Sequence, residues 1–138
     1  MENKKIFIIE DDANILYNLE SHFSLDQFLV ESSQGEESIE ELIDRIKGFM
    51  PDYIVLDVIL PKLDGFEIIQ RIKQEVDLSN LPIFIFTDLS DEDSKARSLH
   101  LGVENYFIKD DFDTYQFAEK VKQIINNQDK ITDDEYQE

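Results

Sequence analysis

The sequence predicts an α/β domain in which one parallel β-sheet is covered by helices on both faces. Short runs of strand-favouring residues alternate with amphipathic helical stretches about five times along the chain. The runs are apolar throughout, which is typical of strands that are buried on both faces of a sheet. The length of 138 residues suits one domain with one well-buried core.

Five apolar runs are predicted to be the strands of this sheet. They are Ile6–Ile9, Phe28–Val30, Tyr53–Leu56, Pro82–Phe86 and Tyr106–Ile108. The second run is the weakest of them. Pro82 fits the first position of its strand, where the missing N–H group is tolerated.

Apolar residues at helical spacing predict a helix after each of the first three strands. The first helix is expected over Ala13–Phe23, with Asp12 as its N-cap. The second is expected to open at Gly35 and to close near Gly48. The third is expected to bury an apolar stripe made of Phe66, Ile69, Ile72 and Val76.

The last two helices differ in how much apolar surface they offer to a core. Asp91–Leu101 is poor in apolar residues and should end at Gly102, whereas the final helix carries an inward stripe. That stripe consists of Phe117, Val121, Ile124 and Ile125. Beyond it the chain turns polar and acidic, so we expect a domain over residues 1–127 and a frayed acidic tail over 128–138.

Charge and composition limit the possible partners. The 13 basic and 32 acidic residues give a net charge of −19, which repels nucleic acids and anionic membranes. The absence of cysteine excludes disulfides and thiolate metal sites, and it is consistent with a cytoplasmic protein. Ile6–Ile9 is too short for a signal sequence or a membrane span.

Polar residues with complementary chemistry follow four of the five strands. Glu10 and Asp11 follow the first, Asp57 the third, Thr87 the fourth and Lys109 the fifth. Ligand sites of open α/β sheets lie at the carboxyl ends of the strands, so these side chains should converge. Three converging carboxylates repel one another unless a cation lies among them, and oxygen ligands favour Mg²⁺. A lysine and a threonine beside them suit the handling of a phosphoryl group.

This set of residues, in this order, resembles the receiver domain of two-component response regulators. The resemblance also includes Leu60-Pro61 and Asp64-Gly65 in the loop after the third strand, and it covers about residues 4–126. It implies a flavodoxin-like, doubly wound sheet of five parallel strands in the order 2-1-3-4-5. The strand order is expected from the family and not from the periodicity of the sequence.

The resemblance also implies a role for each site residue. Asp57 would accept a phosphoryl group, assisted by Thr87 and Lys109. Mg²⁺ would be held by Glu10, Asp11, Asp57 and the backbone carbonyl of Ile59. Thr87 and Tyr106 would report the phosphorylation. Such a domain is a signalling phosphoacceptor that assists only its own phosphotransfer and dephosphorylation, and is not an enzyme in the usual sense.

The partners implied by the resemblance are proteins. A sensor histidine kinase or a phosphotransfer protein would supply the phosphoryl group within a phosphorelay. A downstream protein would bind the face made by the fourth helix, the fifth strand and the last helix. No direct contact with nucleic acid or membrane is expected, and the chain is expected to be a stand-alone receiver, either monomeric or weakly dimeric.

Two other functions compete with this one. A flavin or nucleotide carrier on the same fold is disfavoured, because Glu10-Asp11-Asp12 would repel a phosphate after the first strand. A degenerate receiver that acts as a phosphorylation-independent binding module is the alternative.

Two positions depart from the family pattern. Asp88 stands where a small residue is usual, and Lys109 is followed by Asp110 instead of proline. A cis peptide bond without proline costs roughly 3 kcal/mol, so we expect the Lys109–Asp110 bond to be trans.

Overall fold

Ten helices and strands alternate along the chain in the computed structural model, which describes residues 3–136 and the side chains as far as Asp129. The strands are β1 (Lys5–Ile9), β2 (Leu29–Ser33), β3 (Tyr53–Leu56), β4 (Ile83–Thr87) and β5 (Asn105–Ile108). The helices are α1 (Ala13–Leu25), α2 (Ile39–Phe49), α3 (Gly65–Gln74), α4 (Glu92–His100) and α5 (Thr114–Tyr136).

The five strands form a single parallel sheet in the order β2-β1-β3-β4-β5, which confirms the predicted fold. Apolar side chains from α2 and α3 pack on one face of this sheet, and those from α1 and α5 pack on the other. The strands β1, β3 and β4 are therefore buried from both sides, as their unbroken apolar sequences predicted.

The register of the central strands brings their carboxyl ends to one edge of the sheet. Ile9 at the end of β1 pairs with Leu56 at the end of β3, and the Asp57 amide donates to the Ile9 carbonyl at 3.0 Å. On the other side of β4, the Lys109 amide donates to the Thr87 carbonyl at 2.8 Å. The polar residues after these strands thus start from neighbouring backbone positions.

Two helix boundaries predicted from the sequence are wrong. The second helix does not open at Gly35, which has a φ of +77° and lies in the loop; it begins at Ile39 with Ser38 as its N-cap. The third helix ends at Gln74, and Val76, which was expected on its buried stripe, is 91% exposed. Gly35 has a left-handed backbone that does not belong to a helix, whereas in α3 the apolar spacing continued past Glu75, whose backbone is extended.

The last helix is longer than the apolar stripe indicated. It continues to Tyr136, so most of the segment from Gln128 that was expected to be a frayed tail has helical backbone, and its last two residues lie outside the described part of the chain.

The Lys109–Asp110 bond is trans, as expected, since residues 3–136 contain no cis peptide bond. Among these residues, no helix combines the length and apolar character that crossing a bilayer requires.

Candidate functional site

Glu10 and Asp11 follow β1 directly and begin the site. Glu10 is only 2% exposed, and its amide donates to the Ser33 carbonyl of the neighbouring β2 at 3.0 Å. One carboxylate oxygen of Glu10 accepts the amide N–H of Asp12 at 3.1 Å. Asp12 itself faces solvent and caps α1 by accepting the amides of Asn14 and Ile15, as the sequence predicted.

Asp57 follows the central strand β3 and is 4% exposed. Both of its carboxylate oxygens are held. Oδ1 accepts the backbone N–H of Ile59 at 2.9 Å, and Oδ2 accepts the Lys109 ammonium at 2.6 Å. The carboxylate is consequently fixed in direction before any ligand arrives, which is what a preorganised acceptor requires.

Lys109 is the cation that joins the acidic groups. Its Nζ lies 2.6 Å from Asp57 Oδ2 and 2.9 Å from Glu10 Oε1, and its side chain is 11% exposed. Burial disfavours the ammonium form, but the hydrogen bonds to Asp57 and Glu10 outweigh it, so the pKa of Lys109 is raised. The lysine therefore stays charged and offsets part of the negative charge at this edge of the sheet.

The titration of Glu10 is dominated by its burial. Loss of water around the carboxylate raises the pKa of Glu10 from 4.5 to about 7, although Lys109 and the Asp12 amide act in the opposite direction. A nearby divalent cation would stabilise the ionised form of a buried carboxylate that lies beside a second carboxylate. Lys109 alone supplies one positive charge to a site that contains the carboxyl groups of Glu10, Asp11 and Asp57.

The acidic groups meet the requirements of a hard divalent cation. Carboxylate oxygens of Glu10, Asp11 and Asp57 all lie within 4.8 Å of one another. The set contains oxygen donors and neither histidine nor cysteine, and this suits Mg²⁺, which binds through few protein carboxylates and keeps several waters. The structure thus brings together the acidic residues that the sequence singled out.

Thr87 and Tyr106 lie beside this cluster and are linked through Leu89. Thr87 is fully buried, and its hydroxyl oxygen accepts the Leu89 amide at 3.4 Å. The Tyr106 hydroxyl donates to the Leu89 carbonyl at 2.8 Å. Burial raises the pKa of Tyr106, and the negative charges of Asp91 and Asp57 raise it further. The sequence carried no signal for Leu89 as this link, because its backbone makes both contacts.

The loop after Asp57 is shaped by Asp64 and Gly65. Asp64 caps α3 by accepting the amide of Phe66, and Gly65 donates its own amide to the Val58 carbonyl at 3.2 Å. A Cβ atom on Gly65 would lie 2.3 Å from the Val58 Cα. Glycine is needed here because two backbone segments touch, and Val58 is the residue next to Asp57.

Comparison with known proteins identifies the family. The family model described as response regulator receiver domain matches residues 6–129, almost the whole chain. The chain belongs to this family. Its members are receiver domains of two-component systems, which act as signalling phosphoacceptors and not as classical enzymes. Receiver domains bind Mg²⁺ at an acidic pocket and interact with histidine kinases or phosphotransfer proteins and with downstream effectors.

Relatives of known sequence and structure agree with this assignment. The alkaline phosphatase synthesis transcriptional regulatory protein PhoP of Bacillus subtilis is 32% identical over 124 residues, which cover 89% of this chain and 49% of PhoP. The structure of a response regulator from Chloroflexus aurantiacus is 26% identical in sequence and aligns with a TM-score of 0.76. The alignment covers 91% of this chain and 99% of that one. The Mn²⁺-bound form of response regulator Rcp1 shares the fold at 22% identity and a TM-score of 0.73, covering 86% of this chain and 91% of Rcp1. The receiver spans about half the length of the curated relatives it matches.

Proposed function

We propose that Asp57 is the residue of this receiver that accepts the phosphoryl group. The observation that carries the proposal is the placement of its carboxylate, which is 4% exposed, held by Lys109 at 2.6 Å and grouped with Glu10 and Asp11. No other carboxylate among the described residues combines the end of the central strand with a buried lysine partner.

The donor would be a sensor histidine kinase or a phosphotransfer protein, as in the family. An oxygen of Asp57 forms a bond to phosphorus while the phosphorus–nitrogen bond of a phosphohistidine breaks, and the electron pair of that bond stays on the imidazole. Lys109 keeps its charge and lies against the developing negative charge on the phosphoryl oxygens. Thr87, which is buried beside the site, donates its hydroxyl to one of these oxygens.

Mg²⁺ fits the oxygen-only donor set and would be held by Glu10, Asp11, Asp57 and the backbone carbonyl of Ile59. When bound, the ion supplies positive charge that offsets the charge of the transferring group. The chain's own residues then assist only the gain and loss of this one phosphoryl group.

Output would pass through the Leu89 backbone to the surface made by α4, β5 and α5. A change at the Thr87 hydroxyl alters its contact with the Leu89 amide, and Tyr106 holds the Leu89 carbonyl from β5. Leu99 of α4 is 61% exposed, so an apolar side chain of this helix is available for contact with a downstream protein. We infer a monomer or weak dimer for the chain on its own.

The test is incubation of the purified chain with Mg²⁺ and acetyl phosphate, followed by intact-protein mass spectrometry. Wild type should gain the mass of one phosphoryl group, and Asp57→Asn should gain none. Asp88→Asn is the matched control, because it removes an exposed carboxylate from the next strand end and should still be modified. Modification of Asp57→Asn, or no modification of wild type and of Asp88→Asn, would overturn the proposal.

A further inference from the structure

An open groove of about 470 Å³ lies beside Asp57, between the loop after β3 and Leu89. Its walls are mostly apolar side chains, together with Lys62 and Asp64 on the rim. The apolar residues are Val58, Ile59, Leu60, Pro61, Leu63, Phe66 and Leu89. The groove begins at the residue after Asp57, so anything bound in it lies next to the site.

One residue at the Asp57 end of the groove is exposed although it is apolar. Ile59 is 45% exposed, and the groove continues from it along Leu60 and Pro61. Gly65 packs against the Val58 backbone along one wall of the groove, and the Tyr106 hydroxyl donates to the Leu89 carbonyl at 2.8 Å on the other. An exposed apolar cleft is the usual form of a recognition site for an apolar side chain.

Negative charge is present in the lining of the groove and in the chain around Leu89. Asp64 lies in its lining, and Asp88 and Asp91 stand on either side of Leu89 in the chain. All three are exposed, and none forms a salt bridge within the part of the chain that the structure describes. Lys62 is the one basic group in the lining, and it is paired with Glu36 at 2.6 Å. The guanidinium of Arg97 lies outside the lining, 4.4 Å from the centre of the Phe66 ring. The acidic residues outnumber the basic ones around the groove, which favours an occupant that is apolar at its centre and basic at its edges.

We propose that this groove docks a segment of a partner protein in which one or two large apolar side chains are flanked by lysine or arginine. Charge complementarity excludes an acidic segment, and the same charge disfavours an anionic lipid surface. The apolar side chain covers Ile59 and Leu89, and the basic groups approach Asp64, Asp88 and Asp91.

Docking in this groove is coupled to the state of Asp57, a coupling that rests on the proposed function. Phosphorylation adds about one negative charge at the end of the groove, which favours a basic occupant. By reciprocal linkage, an occupant that binds the phosphorylated form more tightly also stabilises that form. The groove thus provides a way to recognise the phosphorylated state close to the phosphoryl group itself.

The groove is tested with a synthetic hexapeptide of two leucines flanked on each side by two lysines, added to the full isotope-labelled chain in an NMR titration. Amide shifts should be concentrated at residues 58–66 and at Leu89. Two control peptides separate the contributions: one replaces leucine by serine, and the other replaces lysine by glutamate. Both should bind at least about tenfold more weakly, because each loses one of the two complementary features.

Matched variants locate the binding. Ile59→Ser should weaken binding of the leucine–lysine peptide about fivefold, whereas Val76→Ser removes an apolar side chain that is 91% exposed outside the groove and should leave it unchanged. Asp88→Asn should weaken binding about twofold, and Asp77→Asn, which changes the net charge equally, should not.

The outcomes separate this proposal from the proposed function. The docking proposal would be overturned if the leucine and serine peptides bound equally, or if the amide shifts were spread over the acidic surface. Docking at residues 58–66 in a chain that acetyl phosphate fails to modify would support the groove while the phosphoacceptor role fails. After modification, the leucine–lysine peptide should bind several-fold more tightly; equal affinity would overturn the coupling.

Discussion

Gly65 is the residue whose replacement should most directly distort the site without removing any of its functional groups. A methyl group there would overlap the Val58 backbone, which immediately follows Asp57. Gly65→Ala should lower the free energy of unfolding by about 2–3 kcal/mol and reduce Mg²⁺ affinity. The measurement is urea unfolding together with a metal titration.

Gly48→Ala is the matched control for this substitution. Gly48 lies inside α2, and a Cβ there would meet no atom within 4 Å. The substitution should therefore raise stability, by about 0.5 kcal/mol, because alanine is the better helix former. Destabilisation by Gly48→Ala as large as that by Gly65→Ala would contradict the steric explanation.

Glu10 should make the metal-free protein less stable as the pH rises. Its pKa is about 7 in the folded state against 4.5 in the unfolded state, so between these values the native protein holds a proton that the unfolded chain has lost. The stabilisation from this proton is complete below pH 4.5 and is lost as the pH rises to about 7. The expected loss is about 3 kcal/mol, measured by urea unfolding in the presence of a chelator.

Comparison with Glu10→Gln isolates this contribution from the other carboxylates. The difference in stability between wild type and the variant should change across the window, whereas a constant difference would show that Glu10 does not titrate there. Mg²⁺ binding requires the ionised carboxylate, so metal affinity of the wild type should increase with pH over the same range.

At the scale of single residues, the sequence predicted the buried acids and the lysine because of where they stand. Glu10, Asp57 and Lys109 each follow an apolar strand, and parallel strands bring such positions to one edge. The link through Leu89 could not be predicted, because it depends on backbone atoms of a loop and on the direction of the Tyr106 hydroxyl.

At the scale of elements, α4 is the least firmly packed helix in the described structure. Its only buried residue is Ser98, and its sequence is mostly polar. The Arg97 guanidinium lies 4.4 Å from the centre of the Phe66 ring, which connects α4 to the first turn of α3 beside the site. A helix held by few apolar contacts opens at low free-energy cost.

Amide hydrogen exchange should therefore be faster in α4 than in the other four helices. Arg97→Gln should accelerate it about two- to fivefold further, because an exposed cation–π contact contributes about 0.5–1 kcal/mol. Lys95→Gln is the control, since it removes the same charge from the same helix but breaks only a 3.6 Å pair with Glu92. Slow exchange in α4 of wild type, or equal effects of the two variants, would contradict this account.

The elements themselves were predictable where one signal dominated. Unbroken apolar runs located β1, β3 and β4, since a strand buried on both faces has no polar position. The start of α2 and the end of α3 were not predictable, because apolar spacing does not report backbone dihedrals. Gly35 lies before α2 with a φ of +77°, and Glu75 ends α3 with an extended backbone. The groove beside Asp57 also escaped prediction, since it forms only when two loops are placed against each other.

At the scale of the whole molecule, the net charge of −19 opposes compaction everywhere, while the acidic cluster concentrates repulsion at one edge. Any salt screens the first effect, and the Debye length is about 10 Å at 0.1 M. A divalent ion at Glu10, Asp11 and Asp57 would additionally stabilise the native state by mass action. The two effects are separable because only the second depends on the geometry of three carboxylates.

Mg²⁺ should accordingly raise the melting temperature more than sodium chloride of the same ionic strength. At tenfold excess over the dissociation constant the gain is about 1.4 kcal/mol, which corresponds to about 4 °C for a domain of this size. Asp11→Asn should reduce the excess strongly, because it removes one of the three negative charges in the cluster. Asp77→Asn, which changes the net charge by the same amount at an exposed position outside the cluster, should keep it. If both salts raise the melting temperature equally, or if the two variants respond alike, the stabilisation comes from screening of the whole surface and not from a bound ion.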